Sequence, residues 1–144
     1  MATTLAIASP SLLGWNRASQ LRDAGDHLMA TIRYARTKSI ATSQVYRLTV
    51  DTNAGAYQLT VQEGQNFVSL GTELGRQLIV PDDCRIELSG IDGKALNTID
   101  FYPSGRTQPA KLKIWNQKTG DSLQIECASP AQEFKFVTDE AQKR

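Results

Sequence analysis

The sequence predicts an α+β fold, one long N-terminal helix followed by an antiparallel β body, either a sheet or a β-sandwich. Three observations carry this. Over residues 21–39 apolar and small residues recur every three or four positions. From Val45 onward the recurrence shortens to every second position. Clusters of Gly, Pro, Asn, Asp and Ser then divide the remainder into short runs of strand length.

The helical part rests on Leu21, Gly25, Leu28, Ile32, Ala35 and Ser39, whose 4-3-4-3-4 spacing places them on one stripe of a 3.6-residue period. Leu12, Ala18, Ala24 and Met29 widen the stripe. The opposite face carries Arg22, Asp23, Asp26, Arg33, Arg36 and Lys38, with Asp23 and His27 one turn apart and able to pair weakly. Pro10 fits either a helix start or a kink, and Ser9 or Ser11 could cap. The helix is expected to end near Ile40, where β-branched and polar residues begin to alternate.

In the second part, 46–50 and 57–61 alternate apolar and polar side chains around Asp51-Thr52-Asn53-Ala54-Gly55, which reads as a β-hairpin. A turn over 63–66 leads to a short strand at 67–70, and Gln77–Val80 forms another that Pro81 ends. Strands are expected at 85–88, 98–102, 111–115, 122–127 and 133–137. Each keeps one apolar phase: Ile99 and Phe101; Leu112 and Ile114; Leu123, Ile125 and Cys127; Phe134 and Phe136. One clean face per strand belongs to antiparallel sheets. The organisation is therefore a helix over 1–42, a globular β domain over 43–137 and a charged tail over 138–144.

Composition narrows the function by exclusion. The chain has 144 residues and a formal net charge of +1, too little to imply nucleic acid or an anionic membrane surface as the default partner. Two cysteines, Cys84 and Cys127, cannot make a tetrahedral zinc site without a histidine pair. They are compatible with one disulfide or with two buried thiols, and both take the inward phase of their strands. No metal or cofactor is expected. The apolar stretch over 5–15 is too short to span a bilayer, and the chain as it stands is expected to be soluble. His27 is the only histidine, and no G-x-S-x-G, P-loop or H-E-x-x-H motif accompanies it. Its bland reading, a polar residue on a solvated helix flank, outweighs a general base. Asp82-Asp83 likewise reads as a solvated turn, since a calcium loop needs more oxygen ligands in a set order.

Three segments carry a family resemblance. Leu5-Ala6-Ile7-Ala8-Ser9-Pro10-Ser11-Leu12 is similar to the later half of a pilin membrane helix, where an apolar run reaches a proline and continues as an amphipathic helix. Residues 28–41, which include Arg33-Tyr34-Ala35-Arg36, resemble the helix segment of the GspH/FimT branch of the type IV pilin superfamily. Ile99-Asp100-Phe101-Tyr102-Pro103-Ser104-Gly105-Arg106 resembles the strand and Phe-x-Pro-x-Gly turn of that branch. The likeness covers roughly residues 5–137, a length that suits one domain.

The resemblance implies a pilin-like, non-enzymatic structural subunit: a minor pseudopilin of a type II secretion system, or of a type IV pilus-like filament. Such a subunit assembles through its N-terminal helix with other pseudopilins or pilins. It is anchored in the bacterial inner membrane, carries a periplasmic globular domain and can meet secreted substrate. Leu5, Ile7, Leu12, Leu13, Trp15 and Leu21 are the expected filament-side contacts. Trp15 either marks the membrane–water boundary or packs on the globular body. The prepilin cleavage motif of the family is missing, with Met1-Ala2-Thr3-Thr4 in its place, which reads as an N-terminally truncated chain. Gln108, Pro109 and Ala110 replace the glycines that often follow the turn. The alternative implied by the resemblance is a FimT-like minor pilin that binds DNA during uptake, with Arg106, Lys111 and Lys113 as phosphate contacts. The Gly-Arg-x-Arg motif of DNA-uptake members is absent near the C-terminus, so nucleic acid is the less favoured partner.

Overall fold

The computed structural model describes residues 2–71 and 75–137, with side chains from Gln20 onward. The side chains of Leu5, Ile7, Leu12, Leu13 and Trp15 lie outside the described residues, as does the tail over 138–144.

The first element, α1, runs over Ala2–Thr42 for 41 residues. It passes through Pro10, which is therefore not its start. All six stripe residues from Leu21 to Ser39 are buried, as the 3.6-residue period demands. The helix stops two residues past Ile40. There Ser43 adopts a left-handed conformation with φ 54°, and the Thr42 hydroxyl donates to the Lys38 carbonyl at 2.7 Å.

Among the described residues nine strands follow: β1 (Tyr46–Asp51), β2 (Ala56–Glu63), β3 (Asn66–Ser69), β4 (Leu78–Ile79), β5 (Cys84–Ser89), β6 (Thr98–Phe101), β7 (Ala110–Asn116), β8 (Ser122–Cys127) and β9 (Lys135–Val137). They form two antiparallel sheets, β3-β2-β1-β6 with β4 also on β2, and β5-β7-β8-β9. The β1–β2 hairpin closes at Gly55, whose φ of 64° needs the freedom that only glycine has without strain.

Burial alternates along β1, β5 and β7, so each sheet turns one face inward. α1 lies across both sheets, touching β1 and β6 of one and β7 and β8 of the other. One contiguous core results, with Leu28, Leu48, Ile86, Ile99, Phe101 and Leu112 fully enclosed. Truncating such a residue removes its transfer energy and leaves a cavity, costing about 2–5 kcal/mol. Among the described residues, no buried side-chain nitrogen or oxygen lacks a hydrogen-bond partner.

Two expectations need correction, and one alternative left open is decided. Cys84 and Cys127 are not bridged; both are free and buried. Cys84 pairs with Asn116 at one end of β7, and Cys127 pairs with Ala110 at the other. Six residues of strand therefore separate the two positions, about 20 Å along β7, far beyond the Cα spacing a disulfide spans. Alternation fixed which face the thiols share, and register fixed how far apart they sit. Leu21 is only 5% exposed and belongs to the chain's own core, so its side chain is not free for a filament neighbour. The last strand is shorter than 133–137 and covers only Lys135–Val137; Phe134, just before it, is buried, while Phe136 within it is 37% exposed.

Candidate functional site

Two of the three segments that carried the resemblance meet in space. Arg36 of α1 donates its Nε proton to the Gly105 carbonyl in the Phe-x-Pro-x-Gly turn at 3.3 Å. Its Nη1 reaches the Glu133 carboxylate at 2.6 Å. One turn further along, the buried Ser39 hydroxyl lies 2.8 Å from the Arg36 carbonyl and 3.2 Å from the Tyr102 carbonyl. Gly105 has a φ of 86°, and a Cβ there would stand 3.5 Å from Ile40, so the turn is bent directly onto the helix. The sequence reading placed Arg36 on the solvent face. It is instead the half-buried bolt between helix and turn.

At the other end of the packed helix, Gly25 faces β8 and β9. A Cβ on Gly25 would come within 2.7 Å of Leu123 and 3.5 Å of Phe136. The missing side chain lets α1 lie close against the sheet. A glycine on an apolar helical stripe is the one sequence signal that could have announced this approach.

Two concave surfaces flank these anchors. An open groove of about 660 Å³ is lined by residues of β6 and the following turn, among them Asp100, Tyr102, Arg106 and Gln108. Asp100 is already engaged by Arg47, at 2.7 Å from Nε and 3.1 Å from Nη2. That hydrogen bond, with the Asp100 charge, holds the Arg47 guanidinium above its ordinary range against the opposing effect of burial. Arg47 also stacks on Phe67, 3.7 Å from the ring centroid. Arg106 therefore supplies the groove's own positive charge.

The second surface is a notch of about 290 Å³ between α1 and β4. Gln20, Asp23, Ala24 and His27 form its helical wall, and Tyr57, Leu78, Ile79, Val80 and Pro81 the rest. Ile79 is 72% exposed, a large aliphatic side chain on a two-residue edge strand. Burial pushes the Tyr57 phenol up to about 12, with a hydrogen bond to Thr31 pulling the other way. His27 sits on the exposed rim, and no serine or cysteine lines the notch with it.

The remaining sequence candidates do not converge. Lys111 and Lys113 lie on β7, outside the groove that holds Arg106. Across the ladder Lys111 faces Glu126, and Lys113 faces Glu87. Lys113 also sits 5.4 Å above the half-buried Trp115 ring. Asp83 meets Lys118 at 3.4 Å, and burial together with the Asp83 charge pushes the Cys84 thiol up. Among the described residues, no group of three or more His, Cys, Asp or Glu side chains is arranged to hold a metal. Among them, too, no helix is long and apolar enough to cross a membrane.

Comparison with known proteins gives this arrangement a context. The family model for the type II transport protein GspH matches residues 24–130. A search of curated proteins by sequence returns no match. Among solved structures, the minor pseudopilin EpsH from the type 2 secretion system of Vibrio cholerae superimposes with a TM-score of 0.71 at 9% identity, covering 83% of this chain and 97% of its own. The type IV minor pilin FimU of Pseudomonas aeruginosa gives 0.64 at 12% identity, covering 88% and 94%. E. coli GspH in solution gives 0.63 at 16% identity, covering 88% and 93%. At such identities the likeness is one of fold. The family match extends over well more than half of the sequence and includes both Arg36 and Gly105. The chain belongs to the GspH family of type II transport proteins, and its helix and two antiparallel sheets form the fold of minor pseudopilins and minor pilins.

Proposed function

We propose that this chain is a non-enzymatic subunit of a type II secretion or type IV pilus-like filament, assembling through the first part of α1 while the β body faces outward. One observation carries the reading. α1 is 41 residues long, and among the described side chains those that enter the core begin at Leu21. Residues 2–19 continue the helix for about 27 Å before that point, a reach of 1.5 Å per residue. Their sequence is apolar at Leu5, Ile7, Leu12 and Leu13, with Trp15 beside them. A helix of this kind is stabilised by packing against others like it. The partners are then other pseudopilins or pilins, with the inner membrane on the side of the N-terminus, the body in the periplasm and secreted substrate within reach of its surface.

The test is incorporation. Leu12→Asp together with Leu13→Asp should abolish co-sedimentation with filaments from cells that supply the other pilin-like subunits, while the circular dichroism of the body stays unchanged. Full incorporation of that double variant would remove the reading.

The DNA-binding alternative has weaker support, because Lys111 and Lys113 each face a glutamate and Arg106 stands in a different groove. A useful phosphate footprint takes several neutralised charges together. Duplex binding at low salt that falls when Arg106, Lys111 and Lys113 are replaced by alanine would restore it.

A further inference from the structure

The contact that bolts α1 to the body has a recess beside it. About 230 Å³ of space lies between the helix and the segment before β9, lined by Ile32, Arg33, Arg36, Thr37, Glu133 and Phe134. Ile32 and Phe134 belong to the core and give the recess an apolar floor. The polar lining consists of two guanidinium groups, one hydroxyl and one carboxylate. Arg33 and Arg36 stand three residues apart on the helix, where side chains are neighbours and like charges repel.

The chain itself shows which chemistry this lining takes. The Glu133 carboxylate lies 2.6 Å from Arg36 Nη1. The Arg36 fork is oriented in advance, because its Nε donates to the Gly105 carbonyl at 3.3 Å. The Glu133 side chain is 70% exposed, so water and salt screen its pairing and another carboxylate can displace it. Among the described residues, Arg33 has no ion-pair partner and the Thr37 hydroxyl no hydrogen bond. Two cations thus face one loosely held acid, and the recess keeps a net positive charge with donors to spare.

We propose that Arg33, Arg36 and Thr37 form a binding site for an acidic side chain of a partner protein, with Glu133 as the chain's own exchangeable occupant. A guanidinium fork matches the two oxygens of a carboxylate. The floor of Ile32 and Phe134 suits the short methylene stem that carries it. Inorganic phosphate would meet the same cations but leave that floor uncovered. The site concerns what the body recognises, and it stands whether or not α1 packs into a filament.

Magnetic resonance titration of the full chain with an acetylated, amidated tetraglutamate peptide tests it. The matching glutamine peptide and inorganic phosphate serve as comparisons. The glutamate peptide should shift the Arg36 Nε–H and Thr37 amide signals, and the glutamine peptide should not. Glu133→Gln removes the competing acid and should tighten peptide binding about three-fold. Arg33→Gln should weaken it about three-fold with the urea midpoint unchanged. Lys94→Gln, exposed and outside the recess, should leave the affinity as it is. An absence of shifts in both the native and the Glu133→Gln chains overturns the proposal, as does equal binding of the glutamine peptide or a response to phosphate alone. It falls equally if Glu133→Gln does not tighten binding, if Arg33→Gln does not weaken it, or if Lys94→Gln weakens it as much.

Discussion

The Arg36 Nε donates to the carbonyl oxygen of Gly105 across 3.3 Å, joining residues 69 positions apart in the chain. The same guanidinium holds Glu133, 97 positions away, at 2.6 Å. One side chain therefore ties the helix to the β6–β7 turn and to the segment before β9.

The two bonds should contribute unequally. Glu133 is 70% exposed, so its ion pair is screened and contributes at most a few tenths of a kcal/mol up to about 1. The Gly105 carbonyl bond is partly buried and intramolecular. Arg36→Ala should lower unfolding free energy by about 1–2 kcal/mol, and Glu133→Gln by roughly half a kcal/mol or less. Urea denaturation with an unchanged m-value reads both. Equal losses would show that the ion pair, rather than the turn contact, holds the helix.

Gly25 offers a test in which two effects oppose. Alanine gains about 1 kcal/mol of helix propensity, but its Cβ meets the mobile end of Leu123 at 2.7 Å. Gly25→Ala should therefore change stability by less than about 1 kcal/mol in either direction. Gly25→Leu cannot be absorbed and should cost about 1–3 kcal/mol. Leu123→Ala in the Gly25→Leu background should recover part of that loss, a coupling measurable by a double-mutant cycle.

Tyr57 makes a prediction about alkaline pH. Its phenol titrates near 12 in the folded chain because burial disfavours the phenolate, against about 10 when unfolded. A raised folded-state value means stability present below pH 10 and lost as pH rises from about 10 through 12. The loss is on the order of 2–3 kcal/mol. Tyr57→Phe should be less stable at neutral pH, through the lost Thr31 bond, and should show a flatter decline above pH 10. Unfolding free energies at several pH values compare the slopes; parallel slopes would refute the assignment.

The cysteines should behave as two separate buried thiols. Native protein should react slowly with a thiol reagent and release two equivalents on unfolding, with no change in stability on adding reductant. An intact mass lower by two hydrogens under non-reducing conditions would contradict the register that separates them.

The legible part of this molecule was the part written locally. Spacing alone identified the six-residue stripe from Leu21 to Ser39, and all six are buried. Alternation and turn residues located each strand to within a residue or two over most of the body, because side-chain phase is a local property. Partnership is not local. Nothing in the run Thr98–Phe101 says that it pairs with β1 rather than with β5 or β7. For the same reason the shared phase of Cys84 and Cys127 left open a bridge that their register forbids. Arg36 looked solvent-facing because its partners lie in segments that only the completed fold brings near. The notch was invisible for a similar reason, since Ile79 reads as an ordinary apolar strand residue until β4 is seen at a sheet edge.

The helix is held broadside. Its described buried contacts run from Leu21 to Ser39, about 27 Å at 1.5 Å per residue, and fall on strands of both sheets. Tension applied along its axis from the N-terminal end loads that whole row in shear, so the contacts must fail together. The same force applied sideways would peel them off singly. Whatever pulls or pushes on the front of α1 thus meets the body as a rigid handle, with Arg36 and its turn acting as the stop at the far end.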